Sequence, residues 1–173
     1  DYQTLDLFTL WAPAATRDSK RPMWSFCFPR GNPRFYIYTR GDSAPRKGLL
    51  EIAMNPFVFY SILQLLENLA TGKAQQNKYL VETDRVDYDA PDRRRILGSV
   101  LEFGKDEEGV IYMMATADGY PRIPFKFDIS DWHRFRKGDG TPFSDKEASC
   151  LQCQGFVAAL REVAARFVGV TRN

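Results

Sequence analysis

The sequence predicts an α+β fold built from two antiparallel four-strand meanders, each followed by a helix, a ββββα unit occurring twice. Three observations predict it. Short segments with period-two alternation recur along the chain, and the connections between them are too short for parallel crossovers. Helix-start chemistry appears twice, each time after such a run of strands. The pattern of residues 36–63 is repeated in residues 110–135, in kind though not in identity.

The elements follow in order. Leu5 to Ala12 reads as a first strand and Pro22 to Pro29 as a second, with Arg30-Gly31-Asn32-Pro33 as the turn between it and the next. Arg34 to Arg40 is the third strand, Gly41 to Pro45 a loop, and Gly48 to Met54 the fourth strand. Asn55-Pro56 then supplies an N-cap and a proline at the first helical position, where its missing N–H costs nothing. Phe59, Ile62, Leu63, Leu66 and Leu69 follow at helical spacing, and Gly72 closes the helix. In the second half, strands are expected over Tyr79–Val86, Arg94–Phe103, Val110–Ala117 and Arg122–Ile129. Ser130-Asp131 is expected to cap a short helical turn through Trp132 and Phe135. An insertion rich in Gly, Asp and Lys runs from Arg134 to Phe143. Ser144 with Glu147 three residues on has capping-box spacing, and a long last helix should run from there to Gly169. The expected organisation is one domain, residues 1–173, with pseudo-repeats over 1–72 and 77–170.

At 173 residues, 44% hydrophobic and 14% aromatic, the chain has enough apolar material for a sizeable core and is not a disordered sequence. Its apolar runs are short and broken by charge, so neither a transmembrane span nor a signal sequence is expected. The chain starts at Asp1 rather than Met, and trimming of a terminal segment is the expectation. Three cysteines, Cys27, Cys150 and Cys153, point to a reducing, cytoplasmic compartment, the host's if the protein is viral. Net charge is only +2, but its distribution is uneven. From Arg17 to Lys47 eight basic residues face two acids, whereas Glu82 to Asp92 is acidic.

The chemistry concentrates between Trp24 and Met54. In a strand, alternate residues share a face, so Arg34, Tyr36, Tyr38 and Arg40 lie together, with Phe35, Ile37 and Thr39 on the other side. Rings offer a surface for bases to stack on and cations offer charge for phosphates, which suits single-stranded nucleic acid. The candidate binding residues are Trp24, Arg30, Arg34, Tyr36, Tyr38, Arg40, Arg46 and Lys47, with Arg94, Arg122 and Lys126 extending a basic track from the second half. Phe26 and Phe28 are assigned to the core, because phenylalanine has no polar tip for a wet surface. Against this stands the plainer reading, in which the tyrosines are cross-strand packing and the arginines solvated.

Other chemistries are weaker. Cys150-Leu151-Gln152-Cys153 has metal-like spacing but no second pair, and His133 is the sole histidine, so two helical thiols are expected rather than a zinc site. No phosphate-binding Gly-Lys-Ser/Thr loop and no Gly-x-Ser-x-Gly elbow occurs. A metal-dependent nuclease is the enzymatic alternative, with Asp84, Asp87, Asp89 and Asp92 as carboxylates. Pro91-Asp92 with Glu102-Phe103-Gly104-Lys105 resembles a restriction-type nuclease core, except that two residues rather than one separate the acid from the lysine. Alternation then puts Glu102 and Lys105 on opposite faces, and a solvated acidic loop is the preferred reading. No cofactor, metal or catalytic residue is expected. A protein–protein interaction module is the third possibility.

The strand Lys47-Gly48-Leu49-Leu50-Glu51-Ile52-Ala53-Met54 running into the capped helix Asn55-Pro56-Phe57, and the second meander ending Phe125-Lys126-Phe127-Asp128-Ile129-Ser130, resemble the Whirly and PUR families of single-stranded nucleic-acid-binding proteins. The segment Trp24 to Lys47 is also similar to small phage single-stranded-DNA-binding proteins that act as cofactors of a phage RNA polymerase. These resemblances imply a Whirly-like fold, binding of locally melted DNA and contact with a polymerase in transcription or replication; little sequence specificity is expected because every base has a stackable face, and RNA is an alternative ligand. Homo-oligomerisation is expected from the small residues Gly155, Ala158, Ala159, Ala164 and Ala165 on the last helix.

Overall fold

The computed structural model describes residues 8–11 (as main chain only), 22–127 and 133–168. The fold is α+β, with two antiparallel sheets and two long helices. In the first sheet, β2 (Met23–Cys27), β3 (Arg34–Tyr38) and β4 (Leu49–Ala53) form a meander, and the four-residue β1 (Phe8–Trp11) pairs with the outer edge of β2. Helix α1 (Pro56–Thr71) follows. The second sheet has longer strands in the order β5 (Lys78–Val86), β6 (Arg95–Lys105), β7 (Ile111–Ala117) and β8 (Ile123–Lys126), and α2 (Asp145–Phe167) ends the described chain. The two units therefore differ in strand length. The helical turn expected at Ser130-Asp131-Trp132 and the segment beyond Val168 lie outside the described residues, as do Leu5–Leu7 and Ala12 of the first expected strand.

The helices form where capping chemistry places them. Asn55 accepts a hydrogen bond from the Phe57 N–H at 2.8 Å, Pro56 occupies the first turn, and Gly72 closes α1 in the left-handed region. At α2 the Ser144 hydroxyl accepts from the Glu147 N–H at 3.1 Å and the Glu147 carboxylate returns to the Ser144 N–H, a complete capping box.

Alternation along the strands sends Trp24, Phe26, Phe35, Ile37, Leu50 and Ile52 of the first sheet inward, together with Leu101, Phe103, Ile111, Met113 and Phe125 of the second. All belong to one apolar cluster with the buried faces of both helices. Phe156 of α2 sits between the sheets, its ring 5.2 Å from Phe26 on one side and 5.2 Å from Phe127 on the other. The helices are tied together by the Cys153 thiol, which donates to the Leu66 carbonyl at 3.7 Å, and by Arg161 against Glu67 at 3.1 Å. Of the small residues on α2, Ala164 is buried in this core, whereas Gly155, Ala158 and Ala165 are exposed.

Candidate nucleic-acid interface

The alternation of β3 leaves Arg34, Tyr36 and Tyr38 half-buried on the face of the first sheet opposite the helices. Each is aligned by its neighbours: Tyr36 lies between Ser25 and Glu51, and Tyr38 between Met23 and Leu49. Glu51 organises the face. One carboxylate oxygen accepts from the Arg34 guanidinium and the other from Arg46 at 3.1 Å, so a single acid orients two cations. Partial burial pulls the Arg34 pKa down, but the Glu51 charge and the hydrogen bonds Arg34 donates to Tyr36 and Glu51 outweigh it, and the net shift is upward. Burial, then the neighbouring Glu51 charge, raises the Tyr36 phenol, which keeps that ring neutral.

Beyond Tyr38 the chain enters a tight loop. The N–H and hydroxyl of Thr39 both donate to the Gly48 carbonyl, at 2.9 and 2.8 Å, and close it. Inside it Arg40, Arg46 and Lys47 have φ values of 60°, 50° and 55°. These are left-handed conformations, which cost an ordinary L-residue roughly 1–2 kcal/mol and which glycine adopts freely. Two more residues of this kind are described, Arg30 (φ 53°) in the β2–β3 turn and Arg93 (φ 47°) in the β5–β6 loop. Every non-glycine residue with positive φ among the described residues is thus basic.

The β7–β8 turn docks on this loop from the second sheet. A Cβ on Gly41 would lie 3.0 Å from Pro121 Cγ, and one on Gly119 3.3 Å from Pro45 Cδ. The Tyr120 hydroxyl donates to the Leu49 carbonyl at 3.1 Å, opposite Tyr38 in the ladder. Arg122, exposed just past Pro121, is thereby brought to the same corner as Arg40, Arg46 and Lys47. The exposed Arg30 lies beyond the other end of β3, and between the two ends Arg34 and Arg46 meet at the one Glu51 carboxylate, opposite Tyr36. The result is a two-ring strip with cations at each end.

Not every expected residue joins it. Trp24 is a correction: it is 0% exposed, packed 6.4 Å from Phe35 in the core, and its ring is closed to any ligand. Period-two alternation groups residues by face but does not say which face turns inward. Arg94 lies in the β5–β6 loop and pairs with Asp87 at 3.7 Å, and Lys126, toward the other end of the second sheet, pairs with Asp106 at 3.5 Å. Their charge is partly cancelled where they stand. Glu51 and Tyr120 were not among the expected residues. Alternation in Leu49-Leu50-Glu51-Ile52 does place Glu51 on the outer face, whereas nothing local signals the reach of Tyr120 across 71 positions.

Glu102 and Lys105, the acid and lysine of the nuclease alternative, do not meet on one face. Glu102 is on the outer face of β6, where the Tyr112 hydroxyl donates to it at 2.9 Å, and Lys105 alternates to the inner side. Among the described residues no cluster of three metal-ligating side chains occurs. Cys153 is buried and its thiol is pushed up to about 12, chiefly by that burial. Among those residues no helix is long and apolar enough to cross a membrane. Compared with known proteins, the chain matches no family model, no curated protein and no solved structure.

Proposed function

We propose that this protein binds single-stranded DNA, with little base preference, along the outer face of its first sheet. Tyr36 and Tyr38 serve as the stacking rings. Arg30, Arg40, Lys47 and Arg122 meet phosphates, and Glu51 holds the Arg34 and Arg46 guanidinium groups beside the rings. Sequence tolerance follows because every base has a stackable face. The observation that carries the reading is the left-handed backbone at Arg40, Arg46 and Lys47 beside those tyrosines. A position whose backbone favours glycine but holds a cation is one where the side chain has been kept at a cost in stability.

The same reading treats the two meander–helix units as related and Whirly-like, places the protein in the cytoplasm, and gives it no catalytic role. Contact with a phage RNA polymerase rests on the sequence resemblance alone. RNA offers the same rings and phosphates, so competition between DNA and RNA oligomers ranks the two.

The test is fluorescence anisotropy with oligo-dT at several salt concentrations. Four phosphate contacts give a log–log salt slope of about −3. Replacing both Tyr36 and Tyr38 by alanine should weaken binding at least tenfold, since stacking contributes on the order of 1–3 kcal/mol per base. Unchanged affinity in a folded double variant discards the strip as the binding platform.

A further inference from the structure

Strand β5 is an edge strand of nine residues whose partner in the sheet is β6. The Lys105 N–H donates to the Asn77 carbonyl at 2.9 Å, and this fixes the hydrogen-bonding phase of the hairpin. Counting from Asn77, Tyr79, Val81 and Thr83 turn their main-chain groups toward β6. Lys78, Leu80 and Glu82 turn theirs outward, to an edge that no strand among the described residues pairs with. The register shift at Thr83/Asp84 leaves its extra residue, Gly98, in β6, so the outer edge of β5 is unbroken. Edge strands are ordinarily protected by a proline, by an irregularity in the edge strand, by an inward-pointing charge or by charges along the edge, and Lys78 and Glu82 supply only the last, as a pair of opposite sign. Here there is no proline, and the inward side chains Tyr79, Val81 and Thr83 are uncharged. The outward side chains read Lys78, Leu80, Glu82, and Leu80 is 56% exposed.

We infer that this edge pairs with a second copy of the chain, antiparallel about a two-fold axis at Leu80, to make one continuous eight-stranded sheet. Charge complementarity selects both the partner and the register. Centred on Leu80, each Lys78 stands opposite the Glu82 of the other copy, and the two exposed leucines cover each other. Shifting the axis to Glu82 sets two carboxylates face to face, and shifting it to Val81 sets Leu80 against Glu82. Lys78 is already held at the edge by Glu102 of its own chain, 3.5 Å away. The surface is distinct from the tyrosine strip of the first sheet, and its test needs no nucleic acid.

Sedimentation velocity of the full chain across its soluble range should show a concentration-dependent dimer; a monomer throughout overturns the proposal. Under mild oxidation Leu80→Cys should form a covalent dimer, because cross-strand Cα atoms about 5.5 Å apart are within disulfide reach. The unsubstituted chain, whose Cys27 and Cys153 are buried and whose Cys150 is half-buried, is the control, and it should give no covalent dimer. A dimer that fails to cross-link at position 80 places the interface elsewhere and refutes the edge. Lys78→Glu and Glu82→Lys should each weaken the dimer on the order of tenfold by setting like charges opposite, and the two together should restore it. Recovery in the double variant excludes misfolding as the cause, and no recovery rejects this register.

Discussion

Lys47 is the clearest residue at which stability and binding are expected to oppose one another. Its φ of 55° is a conformation glycine takes without strain, and among the described residues it has no ion-pair partner. Lys47→Gly relieves roughly 1 kcal/mol of backbone strain, offset in part by the greater freedom of glycine in the unfolded chain. The melting temperature should therefore hold or rise while affinity for oligo-dT falls several-fold; a lowered melting temperature would make the lysine a structural residue. Glu51→Gln works the other way. It removes the acid between Arg34 and Arg46, lowers stability by up to about 1 kcal/mol at this partly exposed pair, and should tighten DNA binding with a steeper salt slope. Looser binding in that variant means that orienting the two arginines matters more than their net charge.

At the scale of elements, both helices were legible because each announces itself locally, through Asn55-Pro56 and Gly72 for α1 and the Ser144/Glu147 pair for α2. The alternation of β3 was legible as well, and it placed Arg34, Tyr36 and Tyr38 on one face. The same rule misassigned Trp24, since only tertiary packing decides which side of β2 meets the helices. The backbone of Arg40, Arg46 and Lys47 was not legible, because left-handed turns are ordinarily signalled by glycine or asparagine. Sheet chemistry carries its own prediction at Tyr112. Burial, with the hydrogen bond to Glu102, raises this phenol from 10.0 to about 12. A group whose folded pKa is raised stabilises the fold below its unfolded value, and that contribution is lost as pH climbs through the folded one. Stability should decline from about pH 10 toward pH 12, and Tyr112→Phe should flatten that decline in thermal melts.

Across the whole molecule the apolar cluster runs from one sheet through the helices to the other. Phe156 touches both sides of it, and truncating a buried phenylalanine typically costs 3–5 kcal/mol. Phe156→Ala should lower the midpoint of a single denaturant transition seen alike by Trp fluorescence and far-UV circular dichroism. Two separated transitions would mean that the units fold independently.

The Tyr120 bond to Leu49 has an asymmetry with practical weight. Its acceptor is a main-chain oxygen, which every amino acid supplies, so no replacement of Leu49 short of a backbone rearrangement deletes it. The donor belongs to one side chain, and Tyr120→Phe cuts the latch at a single atom. The hydrogen bond is therefore under the control of the second unit, while the packing around it still depends on the first, where a Cβ added at Gly41 would press on Pro121.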